Sequence, residues 1–576
     1  MHFALARGLS LFQKMKKLRW QILIVVLTLL VVGILLLTQK QSLNPIIPEP
    51  TSGGIYTEAI AGHFGRLNPL LDLNNPSDRE IDRLIFSSLI KFDSRGVPQP
   101  DLAESWGVSA DGTIYNVTIR TNALWQDGSP ITSDDILFTI SLLRSEYSSY
   151  PVDVRLMWDQ VEITRLDDKN IKFILPEPFV PFLDYLSFGI LPQHLLANIS
   201  ADQLSTDKFN LAPIGSGPYK FDHVTVENGQ INGIVLSVSK NYYGRVPFLE
   251  QIVFRYYPTS DEAVRAYKQG DVLGINLIST NDLTVACSDS NLSCYSSRIP
   301  RLTMVLFNLG NNNVPFFQDK NIRRALMMGL NRQWMVDNLL QGQAVVADSP
   351  VLPLTWAYFD GVEHIGFDPD FATNTLKTAG YILPPGGLVR VKDNVTFSFT
   401  MVYPDDPNHN QLAKSIQQSW SAIGVEMKLQ PVTYDSLFNE YLTPRNYEAA
   451  LVDLDMSRSY DPDPYPFWHQ AEITGGQNYS QWDNRTASEY LEQARVVADP
   501  NIRARLYRNF QVIFARELPA LLLYYPIYTF GVDQRVQGVQ ALPLFEPADR
   551  FNGIASWYLI TRRALGQNAQ PTFLPQ

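Results

Sequence analysis

The chain has 576 residues, 45% of them apolar, an ordinary globular composition with ample material for large cores. A formal net charge of -11 argues against nucleic acid as a partner, because phosphate binding needs clustered Lys and Arg, and it weakly favours neutral or cationic ligands. With 38 Pro, 27 Tyr and no repeat period, the composition points to many loops and aromatic surfaces rather than a helical repeat.

At the N-terminus, Arg7, Lys14, Lys16, Lys17 and Arg19 precede an uncharged run from Trp20 to Leu37. About 18 residues at ~1.5 Å each span roughly 27 Å, close to a hydrocarbon core. The basic flank predicts a cytoplasmic segment over residues 1–19, a transmembrane anchor over 20–38 and a body outside the cytoplasm. The run exceeds a usual signal-peptide core and no small-x-small cleavage site follows it cleanly, so an uncleaved anchor is expected. Pro45, Pro48 and Pro50 mark residues 39–53 as a semi-extended linker.

The body opens with a strand (IYTEAI), a loop, and a helix predicted over Asp78–Leu89, with Ile81, Leu84/Ile85 and Leu89 on one face. Asp111-Gly112 marks a hairpin before a strand that alternates from Ile114 to Arg120. Thr132-x-x-Asp135 resembles a capping box for a helix facing inward through Ile136, Ile140 and Leu143. GSG at Gly215–Gly217 precedes Pro218 and reads as a turn. Cys287 and Cys294 bracket a short polar loop. Outside the cytoplasm a local disulfide is the natural reading, two free thiols the alternative, and no His or further Cys stands nearby to complete a zinc site.

In the second half Asp319 caps a helix over Lys320–Leu330. Asp368-Pro369 opens another with Ala372, Leu376 and Ala379 inward and Gly380 as its stop. A strand at Val395–Val402, a helix through Leu412, Ile416, Trp420 and Ile423 ended by Gly424, and an alternating strand from Val425 follow. A helix at Tyr434–Leu442 then leads to a strand at Ala449–Met456. Such a series predicts a mostly parallel sheet. A late helix through Leu506, Phe510 and Ile513, a strand over Leu521–Val532, and a loose polar tail beyond Tyr558 complete the chain.

The stretch from Ala449 to Trp482 concentrates the candidate site. Its strand ends in Asp453 and Asp455. Asp461-Pro462-Asp463-Pro464 then breaks regular structure, and Tyr465, Phe467 and Trp468 follow, with Asn478, Tyr479 and Trp482 after a Gly-Gly turn. Paired carboxylates and an aromatic loop at a strand end suit a cationic, partly apolar ligand; the competing reading is a solvated strand end over an aromatic core. Enzyme signatures are missing: there is no HExxH, GxxxxGK or GxSxG, and seven histidines are scattered. Prolines on both sides make Asp461 and Asp463 a loop feature rather than an acid–base pair. No enzyme activity, metal or cofactor is expected.

Ordered blocks carry a resemblance: LAESWGVSADGTIYNVTIR, WQDGSPITSDDILFTI, APIGSGPYKF, NYYGRVPFLEQIVFRYYP, FDPDFATNTLKTAGY, IGVEMKLQ, YDPDP and LPALLLYYP. Together they resemble the dipeptide/oligopeptide-binding family (family 5) of extracytoplasmic solute-binding proteins of ABC importers, from about Gly54 to about Gly538. The resemblance implies an α/β, two-lobed periplasmic-binding-protein-like (type II) fold. Lobe one would take 54–297, including an added subdomain at about 92–210, lobe two 298–520, with 521–560 returning to lobe one and 561–576 as tail.

The resemblance also implies an Asp at the strand end pairing with a peptide's α-ammonium, matched by Asp455, with Asp453 or Asp461 as substitutes. Val452 stands where the family commonly has Trp, and MSRSY lengthens the gap before Asp-Pro. His63 and Phe64 match the place where lobe one touches ligand, and Tyr465, Trp468, Asn478 and Trp482 are candidate lining residues. The implied partners are a peptide or other small solute, a membrane permease pair and the membrane itself, for a monomeric protein. A ligand-sensing receptor module, or a binding protein for a sugar or metal chelate, are the alternatives.

Overall fold

The computed structural model describes residues 20, 23–35, 46–353, 355–457, 460–540 and 543–565. The chain forms two compact units, Met1–Gly53 with Tyr558–Gln576, and Gly54–Trp557. In the first, residues 23–35 are helical and Ile46–Thr51 pairs antiparallel with Ile560–Leu565, Thr51 opposite Ile560. This ribbon falls where the sequence predicts an unpaired linker and tail. Pro48 and Pro50 mask the strand because they lack amides. Being two residues apart, they leave both gaps on one edge of the strand and the other edge intact for pairing. Among the described residues no helix is long and apolar enough to cross a membrane. The predicted cytoplasmic segment 1–19, part of the predicted anchor at 20–38, linker residues 39–45 and tail residues 566–576 lie outside the described residues.

The second unit is organised around one strand, Ala520–Asp533. Its early residues pair antiparallel with Arg301–Phe307, and its late residues with Leu292–Arg298 and Gly274–Ile275. It is therefore shared by both halves of a twelve-stranded sheet. The chain also passes between the halves at Ile299–Pro300, between the strands Leu292–Arg298 and Arg301–Phe307.

In the first half, Ile55–Ala61 lies parallel to Gly274–Ile275 and Gln251–Tyr257, beyond which come Gln230–Val238 and Tyr219–Glu227. In the second half the βαβ series is parallel as predicted: Ser398–Pro404 runs parallel to both Glu426–Val432 and Ala449–Asp455. Arg301–Phe307, however, is antiparallel to both its neighbours, so the sheet is mixed rather than mostly parallel. That strand enters from the other half of the sheet and not through a helical crossover, the connection that enforces parallel pairing.

Alternation divides the second half into two cores. Val305, Phe307, Leu521 and Leu523 pack with Leu412, Ile416 and Trp420 on one face. Met304, Leu306, Ala520 and Leu522 pack with Trp468, Trp482 and Phe514 on the other.

Local signals act as read. Asp368 accepts the Phe371 amide over a helix at Pro369–Thr378, Gly380 is left-handed at φ 91°, and Thr132 with Asp135 forms the capping box. The helix predicted over Asp78–Leu89 instead runs Pro76–Ile85 behind an Asn75 cap. Its end is fixed by the GSG turn: the Gly217 amide donates to the Ile85 carbonyl at 2.7 Å, and a Cβ at Gly215 would strike that same oxygen. The strand predicted at Val395–Val402 divides into Val395–Thr396 and Ser398–Pro404, broken at Phe397, whose amide donates to the Arg390 carbonyl. Residues 103–174 carry a separate antiparallel sheet ordered Ala103–Val108, Ile114–Ile119, Asn170–Ile174, Glu162–Arg165. Cys287 and Cys294 are joined in a disulfide, settling the alternative left open by their spacing.

Candidate ligand-binding site

The carboxyl end of the strand Ala449–Asp455 opens on a cavity of about 890 Å³. From the second half, Met304, Leu306 and Val452–Ser457 line it. The loop through Asp461, Asp463 and Trp468 closes one side, and Asp82, Arg83, Phe92, Asp184 and Tyr185 face these from the first half. A crevice past the strand ends is where an open α/β sheet holds its ligand. Its walls combine apolar and aromatic surface with more carboxylates than cations, so it suits a ligand that is partly apolar and positively charged.

Asp453 and Asp455 both border this cavity, and both are already engaged across the ladder. Thr303 and Arg301 are their partners in register. The Thr303 hydroxyl donates to Asp453 at 2.6 Å, and Arg301 pairs with Asp455 at 3.2 Å. His409, held by Asp406 at 2.6 Å, places its Nε2 3.5 Å from Asp453. Burial disfavours the imidazolium, but Asp453 and Asp406 outweigh it and raise the His409 pKa. Burial likewise works against ionised Asp453 and Asp455. His409 and Thr303 hold the first below the usual carboxylate range, and Ser457 and Arg301 hold the second there. Asp455 is the more accessible, its side chain 49% exposed against 24% for Asp453.

Asp461 is differently placed from the anchor role that the resemblance implies. Its carboxylate is buried and bonded by both terminal guanidinium nitrogens of Arg503, at 2.7 and 2.9 Å. Its amide donates to Asp184 at 2.7 Å. Asp463 has its own arginine, Arg495 at 2.7 Å, which lies 3.6 Å over the Tyr465 ring. Each acid of the Asp-Pro-Asp-Pro loop is thus tied to a separate cation, and the two form no acid–base pair.

Of the aromatic candidates, Trp468 lines the cavity while packing on Phe514. Tyr465 lies outside the lining, stacked on His469 at 3.9 Å, and Trp482 is buried against Phe510 and Phe514. Asn478 is a structural knot. Its amide donates to the carbonyls of His469 and Trp482, and its oxygen accepts from Ser480 and the Trp482 amide. His63 is exposed and Phe64 rests against Tyr256, both away from the cavity, in the loop whose Gly65 and Arg66 amides are held by Asp78. Tyr465, Asn478 and Trp482 thus share the strand end's neighbourhood in sequence but not the wall, and His63 and Phe64 share neither.

Sequence reasoning missed Tyr460, Arg495 and Asp82. Within the MSRSY insert, residues 458 and 459 lie outside the described residues, but Tyr460 reaches the first half, stacked on Phe92 at 4.3 Å. Its hydroxyl accepts from Arg83 at 3.3 Å. An aromatic at the end of an insertion that leaves a cleft-edge strand is the signal that was available. For Asp82 the signal was a carboxylate set in the apolar stripe of Ile81 and Ile85.

Comparison with known proteins agrees with this geometry. The chain is 27% identical over 518 residues to the oligopeptide-binding protein AppA of Bacillus subtilis, covering 89% of this chain and 92% of that one. It is 26% identical over 469 residues to the dipeptide-binding protein of Escherichia coli, covering 77% and 84%. The structure of Bacillus subtilis AppA in complex with a nonapeptide superposes with a TM-score of 0.69, covering 89% of this chain and 100% of that one at 26% identity. The two-lobed, periplasmic-binding-protein-like fold is therefore shared. Residues 97–478 match the family model for the bacterial extracellular solute-binding proteins, family 5 Middle. The family binds solutes without catalysis, and this chain belongs to it: it is a family 5 extracellular solute-binding protein.

Proposed function

We propose that this protein captures short peptides between its two lobes and delivers them to the permease of an ABC importer. The observation that carries the reading is the cavity: about 890 Å³, lined from both lobes, at the carboxyl end of Ala449–Asp455. That is within the roughly 300–1,000 Å³ typical of sites for small ligands. Relatives over most of the chain are named for binding oligopeptides and dipeptides. Lobe one is taken as 54–297 with 521–560 and lobe two as 298–520. They close about Ile299–Pro300 and the middle of Ala520–Asp533, where the chain crosses. Peptide main chain paired to the cleft backbone gives affinity with a loose side-chain preference. ATP hydrolysis belongs to other subunits.

Asp455 is the carboxylate we assign to the ligand's α-ammonium, since it is the most exposed of the three candidates and its Arg301 partner can swing to solvent. Asp455→Ala should weaken peptide binding by about 1.5–3 kcal/mol, the worth of a hydrogen bond to a charged group. An unchanged dissociation constant in titration calorimetry removes the assignment.

The body is held outside the cytoplasm by residues 20–38, a reading supported by the uncharged run Trp20–Leu37 behind its basic flank. Membranes washed in alkaline carbonate should retain the full chain. A soluble protein whose N-terminus begins beyond residue 38 would refute the anchor. For the ligand, native mass spectrometry of the chain purified in mild detergent should show co-purified short peptides. A single sugar or a metal chelate would keep the fold and overturn the substrate.

A further inference from the structure

The first-lobe wall carries an acidic group whose chemistry the strand end does not explain. Asp72, Asp78 and Asp82 lie together at the helix Pro76–Ile85 and the loop before it. Asp78 is used within the fold, accepting the Gly65 and Arg66 amides at 3.0 and 2.7 Å and the Asn75 amide group at 2.8 Å. Asp72 stands 3.7 Å from Arg79, but Arg79 is divided among Asp72, Glu546 at 3.4 Å and the Leu73 carbonyl at 2.7 Å.

Asp82 is different. It is 2% exposed, it lines the cavity, and neither of its carboxylate oxygens has a hydrogen-bond partner. The Tyr256 hydroxyl, close enough to feel the charges of Asp78 and Asp82, is buried without a partner as well. A buried carboxylate left unsatisfied on both oxygens is costly, and native folds rarely keep one without a use.

We propose that Asp82, backed by Asp72, is a subsite for an organic cation of the ligand, the guanidinium or ammonium of a basic peptide side chain. The inference rests on the peptide reading above and gives it a substrate class: peptides carrying Arg or Lys. A planar guanidinium supplies several N–H donors at once, matching two unsatisfied carboxylate oxygens. A metal ion fits less well, because among the described residues no three His, Cys, Asp or Glu converge closely enough to hold one. Burial, then the Asp72 and Asp78 charges, pushes the Asp82 carboxyl well above the usual range, with the Asn68 amide, close but outside hydrogen-bond geometry, offsetting this only in part. Burial likewise pushes Asp72 up to about 7. A buried carboxylate so placed is stabilised most by a cationic donor, which brings charge together with N–H groups, whereas a neutral urea brings the N–H groups alone.

The test compares Ala-Arg-Ala with Ala-citrulline-Ala, in which a neutral urea replaces the guanidinium, by titration calorimetry of the full chain in detergent. The arginine peptide should bind about tenfold or more tightly, one charged hydrogen bond's worth, and in Asp82→Asn the ratio should fall to near one. A ratio near one in the unmodified protein, or a ratio that survives in Asp82→Asn, overturns the subsite. Should neither tripeptide bind, butylguanidinium against butylurea decides. Binding of the cation that is lost in Asp82→Asn keeps the subsite and removes the peptide reading, whereas no difference removes the subsite. Asp82→Asn relieves carboxylate crowding and should unfold at no lower a temperature than its parent; if it fails to fold, Asp72→Asn carries the same ratio.

Discussion

Replacing Arg550 with Met is expected to destabilise the folded second unit by about 3–5 kcal/mol, the cost of breaking a buried ion pair from one side. Arg550 is fully buried in the turn Pro547–Ser556, pairing with Glu58 on the strand Ile55–Ala61 and with Glu80 on the helix Pro76–Ile85. Asn276 adds two contacts to Glu80 at 3.2 Å. The arginine thus fastens the returning C-terminal segment to the first lobe's central strand and to the helix that bears Asp82. Without it, Glu80, which burial already raises, loses the cation that offsets the burial and faces Glu58, so its folded-state pKa rises further above the unfolded one. The penalty is then full at neutral pH and shrinks as pH falls and Glu80 takes up a proton. Urea midpoints at pH 7 and pH 5 test this. A midpoint unchanged at pH 7 would show that the cluster contributes nothing net, and Arg550→Met combined with Glu80→Gln should recover part of the loss.

The second large effect is expected for Asp461→Ala, again about 3–5 kcal/mol of folding stability. Arg503 is 6% exposed in its side chain. Without Asp461 its hydrogen bonds among the described residues come down to the Ala494 carbonyl at 2.7 Å and the Tyr507 hydroxyl at 3.2 Å, with the Trp356 ring 4.8 Å away. Arg503 belongs to the helix Pro500–Glu517, so the pair pins the Asp-Pro-Asp-Pro loop to the scaffold behind it. This separates the two roles open to Asp461. A structural acid lowers the denaturation midpoint, whereas a ligand anchor raises the dissociation constant and leaves the midpoint alone. The second pattern would return Asp461 to the ligand.

Much of the fold could be read locally. The Asp368-Pro369 start, the Thr132–Asp135 box and the Gly424 stop depend on neighbours three or four residues away, and the structure has each where the pattern puts it. The strand end at Asp453 and Asp455 was legible for the same reason. What the sequence could not convey was occupancy. Whether an Asp is open to a ligand depends on cations far along the chain: Arg503 for Asp461, Arg495 for Asp463, Arg301 for Asp455. Asn478 and Trp482 show the same limit for uncharged groups. Both are close to the site in sequence, yet their hydrogen bonds and rings turn inward. The Ile46–Thr51 strand escaped because a two-stranded ribbon with prolines along one edge lacks the apolar alternation that marks a strand in a core.

The strand Ala520–Asp533 also sets a clock. It is synthesised after every strand it joins, yet it sits between Arg301–Phe307 and Gly274–Ile275 and pairs with Leu292–Arg298. Until the ribosome has passed residue 533, on the order of a minute into translation, neither half of the sheet can be completed. The earlier strands wait with open edges, which is a hazard for aggregation and a delay that long-range pairing already imposes. For a body that works outside the cytoplasm, the delay is useful: a chain that cannot finish folding before its last strand exists remains threadable for most of its synthesis.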